Sequence, residues 1–353
     1  MHIGMLTGGG DCPGLSAVIR AVTLALINEA GARVTGIERG YLGLIERRSR
    51  PLDAAAVAGI LAQGGTILGT HNKANPFHYF AADGADVSDQ AIAYARELGL
   101  DGLVAIGGDG TMAIAHQIAL RGLPVVGVPK TIDNDLPLTE RSFGFDSAVA
   151  VVAEALDRLE TTARSHGRVM IAETMGRYAG WIALEGGMAG GADVILLPEQ
   201  PYHLEVVAAR CREREADGGC TLICVGEGAR PEGGDLVVAQ VVADSPDPLR
   251  LCGVGAVLAH QLQGMIKSEV RSTLLGHVQR GGSPTPFDRV LATRFGWHAA
   301  QLVRQRQWDR MVALQLGDIT SVPLVAVAGL NRPVPDDHPL LKAARGLGVC
   351  LGR

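Results

Sequence analysis

The chain has 353 residues, 47% apolar and 20% charged, with a net charge of −5; this excludes a disordered chain, and without a basic run it argues against nucleic-acid binding. No uninterrupted apolar run approaches the roughly 18 residues a membrane span needs. The six cysteines, at 12, 211, 220, 224, 252 and 350, lack the short paired spacings of a zinc site. The chain opens directly on strand-like residues, so a cytoplasmic, reduced protein without a membrane partner is expected.

Residues 2 to 6 predict a strand that runs into Thr7-Gly-Gly-Gly-Asp-Cys-Pro-Gly14, then a helix with Leu15, Val18, Ile19, Val22 and Leu26 on one face. A glycine turn between strand and helix is a phosphate-cradle candidate, because backbone amides and the positive helix end face an anion there; alone it is a weak signal. Arg33 to Ile37 predicts a strand and 53 to 62 a helix. The polar loop Gly64 to Phe77 follows, with Lys73 either near a phosphate or merely solvated.

The stretch from Gly102 to Asp135 carries the most chemistry. It predicts a strand (Leu103 to Ile106), a turn with Asp109 between glycines 107, 108 and 110, a helix (Thr111 to Arg121) and a second strand (Val125 to Val128). Its last loop is Pro129-Lys-Thr-Ile-Asp-Asn-Asp135. In a parallel sheet both loops lie at one carboxyl edge, so Asp109, Asp133 and Asp135 converge. Glycines admit a bulky anion, but the carboxylates repel it unless a divalent cation intervenes. Magnesium with phosphate reconciles these charges and predicts phosphoryl transfer, with one Asp at the metal and another taking a proton. The alternative is that the aspartates only cap helices and turns.

A helix from Ser142 to about Ala163 comes next, then a strand (Arg168 to Glu173) and the loop Thr174 to Gly180 with Arg177. After a helix to Gly190 come strand Asp193 to Leu197, helix 203 to 216 and strand Cys220 to Val225, which ends in Gly226-Glu227-Gly228. Cys220 and Cys224 face one side of that strand, where buried thiols are expected rather than a metal pair. The βα repetition predicts an α/β protein of two similar doubly wound α/β/α lobes with an active-site cleft between them. Val270 to Pro284 holds Arg271, His277 and Arg280; guanidinium groups with a histidine suit a phosphorylated substrate, and a hydrogen-bonded core histidine is the lesser alternative for His277, which lies between apolar neighbours. Beyond Arg304 only a strand at Leu324 to Ala328 is expected before a polar tail.

Leu6-Thr-Gly-Gly-Gly-Asp-Cys-Pro-Gly14, Gly107-Gly-Asp-Gly-Thr111, Pro129-Lys-Thr-Ile-Asp-Asn-Asp135, Met175-Gly-Arg177 and Gly276-His-Val-Gln-Arg-Gly-Gly-Ser-Pro284 together resemble the 6-phosphofructokinase family, up to about residue 300. The resemblance implies transfer of a phosphoryl group to the 1-hydroxyl of fructose 6-phosphate, with Mg2+ as cofactor. It implies Asp133 as general base, Thr131 touching sugar and transferring phosphate, Lys130 beside them, and Arg177 stabilising the moving charge. Asp109 and Asp135 would serve the metal, and Gly10, Lys73, Gly108, Gly110 and Thr111 the donor. Met175, Gly176, Glu227 and His277 would line the sugar. Arg168, Arg271 and Arg280 would clamp the 6-phosphate, with 168 and 271 reaching a neighbouring subunit's site in a homo-oligomer. The expected lobes are 1–138 plus about 251–301 for the donor, and 139–250 plus about 302–353 for the sugar phosphate.

Relatives that use pyrophosphate carry Asp where this chain has Gly110 and Lys where it has Lys130. Glycine leaves room for the α-phosphate of a nucleotide, so ATP is the expected donor and pyrophosphate the alternative. The effector-binding cations of regulated relatives are replaced by Leu24, Ala54, Glu160, Gly218, Gly219 and Cys220, with only Arg20 kept; weak regulation by nucleoside diphosphates or phosphoenolpyruvate is expected. A dinucleotide kinase or dehydrogenase would not explain the 129–135 loop with Arg271 and Arg280. A noncatalytic sugar-phosphate sensor would have no need of a base.

Overall fold

Strands form here where aliphatic residues alternate between two buried faces, and helices where apolar residues return every three or four positions. The computed structural model describes residues 1–242 and 248–353. The first part of the chain comprises β1 (His2–Thr7), α1 (Leu15–Ala30), β2 (Arg33–Ile37), α2 (Tyr41–Ile45) and β3 (Ser49–Leu52). It continues with α3 (Ser88–Glu97), β4 (Gly102–Gly107), α4 (Asp109–Leu120) and β5 (Val125–Pro129). The middle part adds α5 (Phe145–His166), β6 (Val169–Thr174), α6 (Trp181–Ala189), β7 (Val194–Leu196), α7 (Leu204–Ala216) and β8 (Thr221–Gly226). The last part adds β9 (Val238–Val241), β10 (Leu249–Leu251), α8 (Val254–Gln263), β11 (Val270–Leu274), α9 (Pro286–Arg304), β12 (Arg310–Gln315), β13 (Asp318–Pro323) and α10 (Pro339–Gly346). No helix among the described residues is long and apolar enough to cross a membrane.

Two sheets carry the fold. One has seven strands in the order β13-β12-β5-β4-β1-β2-β3, and the other four in the order β11-β6-β8-β7. In the larger sheet β12, β5, β4, β1 and β2 run parallel, with β3 and β13 antiparallel at the edges; the smaller is parallel throughout. The chain moves from β1 to one side (β2) and then to the other (β4), so the β1/β4 boundary is a topological switch point, where ligands bind outside the strand ends.

Alternation along the strands builds three apolar layers. Ile3, Met5, Val104 and Ile106 enter a central core that also takes Ala172 and Cys224 from the smaller sheet. Leu6, Leu103 and Ala105 face an outer core with Tyr41, Tyr94 and Met112. Ile171, Ile223 and Val225 face another with Val207, Val254 and Leu258. The central core is continuous between the sheets, so the loops at their edges are held on one frame.

Several expectations need correction. Residues 53–62 form turns rather than a helix. Gly59 adopts a left-handed φ of 74°, and Val57 and Ile60 anchor the segment to the core on either side of it. The expected strand at 324–328 is a single 3-10 turn, Leu324–Ala326, preceded by the β12–β13 hairpin that sequence reasoning missed. The two sheets also cut across the expected lobe boundaries: β11 pairs with β6 in the smaller sheet, while β12 pairs with β5 in the larger. Cys220 and Cys224 are buried free thiols, as expected.

Candidate active site

At the carboxyl edge of the larger sheet the loops after β1 and β4 close around Thr111. A Cβ on Gly8 would stand 2.6 Å from the Thr111 hydroxyl oxygen, and one on Gly107 2.3 Å from its Cβ, so only glycine lets these loops meet there. The Tyr41 hydroxyl donates to the Thr111 carbonyl at 2.9 Å. Lys130 is 3% exposed and its ammonium donates to the Gly10 carbonyl. Burial holds that ammonium below its ordinary value, while Asp133 and Asp109 pull it back up. The loop bearing the half-exposed Lys73 is tied to the same place by Thr7 Oγ1, which donates to the Gly69 carbonyl at 2.8 Å, and by Thr70, which donates to the Gly9 carbonyl. Gly108 lies next to the Lys130 carbonyl, whereas a Cβ on Gly110 would meet nothing within 4 Å.

Asp109 opens α4, where the helix dipole favours a negative group. From β5, Thr131 Oγ1 accepts the Asp133 N–H at 3.0 Å, and the Ser142 hydroxyl donates to the Thr131 carbonyl at 2.8 Å. Asp133 is buried and its Oδ1 has no hydrogen-bond partner. Burial, reinforced by the negative charges of Asp133 and Asp109, pushes the Asp135 carboxyl well above its ordinary value. The three carboxylates therefore share one neighbourhood, as the parallel-sheet argument requires.

The smaller sheet contributes the facing loops. Arg177 takes a left-handed φ of 51°, and its N–H donates to the Glu227 carboxylate at 2.9 Å. Gly228 is backed so closely by the Arg177 carbonyl that a Cβ would stand 2.0 Å from its oxygen. Burial pushes the Glu227 carboxyl up to about 7; the Arg177 N–H opposes this and the Asp133 charge adds to it. Met175 and Gly176 precede this turn. A cleft of about 420 Å³ is lined by Asp109 and Asp135 from one sheet and by Arg177, Tyr178 and Ala179 from the other, with Pro248, Asn331 and Pro333. That volume suits a small ligand.

His277 is exposed rather than in the core, on the 3-10 turn after β11. Arg280, from the same turn, donates to the Asp11 carbonyl at 3.1 Å, beside the first glycine loop. It is thereby separated from Arg168 and Arg271, with which the sequence grouped it. Those two lie at the opposite, amino ends of β6 and β11 and both pair with Glu269, Arg168 at 2.5 Å. The six residues of β6 lie between Arg168 and the cleft, about 20 Å at roughly 3.3 Å per residue. Arg168 therefore does not reach its own chain's cleft, and neither arginine lines it.

Tyr178, Ala179, Pro248, Asn331 and Pro333 line the cleft without having been singled out from sequence. Tyr178 and Ala179 adjoin Arg177 and were within reach of the motif; Asn331 and Pro333 lie in a tail without periodicity, and only the turn-forming Asn-Arg-Pro hinted at structure.

The residues fit a hard divalent cation. Two carboxylates face one cleft and a third is buried with an unpartnered oxygen; of the cations nearby, the Lys130 ammonium is already engaged by the Gly10 carbonyl and the Arg332 guanidinium by the Asn134 and Glu140 carbonyls. No group of three or more His, Cys, Asp or Glu forms a complete metal cage among the described residues. Magnesium typically takes only one or two carboxylates and completes its shell with water and substrate phosphates. Asp109 and Asp135 are placed to be those two.

Comparison with known proteins follows the same line. A family profile described as phosphofructokinase matches residues 2–303. The chain is 48% identical to an ATP-dependent 6-phosphofructokinase 2 of Clostridium perfringens, over 98% of this chain and 97% of the relative. It is 49% identical to a pyrophosphate–fructose 6-phosphate 1-phosphotransferase of Streptomyces coelicolor, over 95% and 96%. Among solved structures it is similar to the Pichia pastoris phosphofructokinase in the T-state, with a TM-score of 0.79 and 32% identity, covering 92% of this chain but 35% of that one.

Proposed function

The chain belongs to the phosphofructokinase family, and we propose that it transfers the terminal phosphoryl group of ATP to the 1-hydroxyl of fructose 6-phosphate, giving fructose 1,6-bisphosphate and ADP. The observation that carries this reading is the single cleft in which Asp109 and Asp135 face Arg177 across the two sheets. The donor belongs to the loops of the larger sheet, at Gly10, Lys73, Gly108, Gly110 and Thr111. The sugar belongs to those of the smaller sheet, at Met175, Gly176, Glu227 and His277. Magnesium, held by Asp109 and Asp135, would neutralise the donor phosphates and orient the one transferred.

Asp133 takes the proton of the 1-hydroxyl as its oxygen attacks, and its partnerless Oδ1 is free to do so. Thr131 holds the Asp133 backbone and touches the sugar and moving phosphate. Arg177 balances the charge on the transferring group, and Lys130 keeps the first glycine loop against the donor through Gly10. Arg280 steadies the same loop at Asp11 from the sugar side. Arg168 and Arg271, remote from their own cleft, would clamp the 6-phosphate in a neighbouring copy, which makes the active unit a homo-oligomer.

ATP is favoured over pyrophosphate by the open space at Gly110, which admits the rest of a nucleotide. Pyrophosphate is the second reading, because Lys130 is present and a relative of equal similarity is named for that donor. Purified protein assayed with fructose 6-phosphate and magnesium, offered each donor side by side, decides the matter. Turnover with ATP alone is expected; turnover with pyrophosphate alone reverses the donor assignment, and turnover with neither removes the kinase reading.

A further inference from the structure

The 131–135 loop has a shape that its own sequence does not secure. Asn134 takes a left-handed φ of 51°, a conformation that Asn tolerates better than other non-glycine residues but does not itself enforce. Its Oδ1 accepts the Ser142 N–H at 3.1 Å and its Nδ2 donates to the Glu140 carbonyl at 3.3 Å. The third restraint comes from far along the chain: Arg332 Nη2 donates to the Asn134 carbonyl at 2.7 Å and to the Glu140 carbonyl at 3.2 Å. The Arg332 N–H also donates to the Asp135 carbonyl at 2.6 Å.

The other side of this segment is fastened to the smaller-sheet half. The Arg332 guanidinium lies 4.5 Å from the centre of the Trp181 ring, and Trp181 Nε1 donates to the Arg332 carbonyl at 2.9 Å. Two residues on, the Val334 N–H donates to the Glu199 carboxylate at 2.7 Å; the same oxygen accepts the Gly180 N–H at 2.9 Å, at the start of α6. Residues 331–334 therefore form a strap across the two halves. Asn331 and Pro333 face the cleft, while Arg332 points into a second hollow behind the loop. The strap lies beyond the residues matched by the family profile.

We propose that this strap sets the position of Asp133 and Asp135 relative to Arg177, with Arg332 as the positioning residue; the inference rests on the reading of Asp133 as the base. Arg332 touches no reacting atom. Without its guanidinium the Asn134 carbonyl loses its partner, the left-handed turn relaxes, and the Asp133 carboxylate leaves the line of attack. Sugar binding, made mainly by the facing loops with Thr131 as the one contact from this loop, is largely spared.

The test uses Arg332→Met and Arg332→Lys in the full chain, read by steady-state kinetics and by hydrogen–deuterium exchange over residues 130–141. Arg332→Met should lower kcat about 10- to 100-fold, the loss expected of a small misplacement, with the KM for fructose 6-phosphate nearly unchanged. Exchange should quicken in 130–141 and stay unchanged in β1 and β4. Arg332→Lys, which keeps a donor for the two carbonyls, should recover most of both. If Arg332→Met does not fold, Trp181→Phe removes one bond of the strap and should shift the same readouts by less. Wild-type kcat in Arg332→Met, a kcat loss without local exchange, or faster exchange throughout the core would each overturn the proposal. A wild-type protein inactive toward fructose 6-phosphate would instead remove the functional reading, while exchange would still decide whether the strap orders the loop.

Discussion

Asp133 is 6% exposed, close to two other carboxylates, and one of its oxygens has no partner. A group placed so is costly to keep unless something arrives to share its charge, and an attacking hydroxyl supplies the proton. Asp133→Ser should lower kcat about a thousandfold or more while leaving fructose 6-phosphate binding nearly intact; steady-state kinetics and calorimetric binding check both halves, and near-normal turnover would remove Asp133 from the mechanism. Glu227 makes a separate prediction about stability. Its carboxyl titrates at about 7 in the folded protein against an ordinary value of 4.5, so between those values the folded state holds a proton that the unfolded state has released. The associated stability is complete below the lower value and is lost as pH rises through the upper one. Glu227→Gln does not titrate. It should therefore gain on the wild type between pH 5 and pH 8, by up to about 3 kcal/mol for a shift of this size. Urea denaturation at the two pH values measures the gap, and a gap independent of pH would show that Glu227 is not held neutral.

Between elements, the contact of the Gly226–Gly228 turn with the Met175–Arg177 turn decides where Arg177 stands. The Arg177 carbonyl occupies the space of a Gly228 Cβ, and both are backbone, so neither can yield by a side-chain rotation. Gly228→Ala should displace the Arg177 turn and lower kcat by about 10- to 100-fold, with little change in donor KM; an alanine variant at wild-type kcat would show that Arg177 tolerates the shift. Elements of this kind were legible in sequence because both sheets are buried on two faces: branched runs bounded by glycine leave little choice but a parallel strand. Asp109, Asp133 and Asp135 were legible for the same reason, since strand order alone brings their loops to one edge. Segment 53–62 was not, because helix-favouring alanines surround Gly59, whose left-handed conformation breaks the run. Nor was the strap: Arg332 acts on Asn134 through carbonyl oxygens, and no side-chain pattern marks a residue whose partners are backbone atoms almost 200 positions away.

At the scale of the molecule, which strand joins which sheet escaped the sequence, since nothing in β11 or β12 names its neighbour and only the pairing with β6 or β5 assigns each to its sheet. That pairing places Arg271 beside Met170 at the amino end of the smaller sheet, near Arg168 and the shared Glu269. If these arginines serve a neighbouring copy, every complete site combines Asp133 of one chain with Arg271 of another. Asp133→Ser and Arg271→Ser homo-oligomers should then both be nearly inactive with fructose 6-phosphate. When the two are unfolded and refolded together, half of randomly formed pairs are mixed, and each mixed pair holds one intact site. About a quarter of wild-type activity should return on this counting for a twofold interface. Size-exclusion chromatography must show the same assembly for the mixture as for the wild type. A mixture of correct size that stays inactive would mean that Arg271 serves its own chain, and the strand pairing would then have to open for it to reach the cleft.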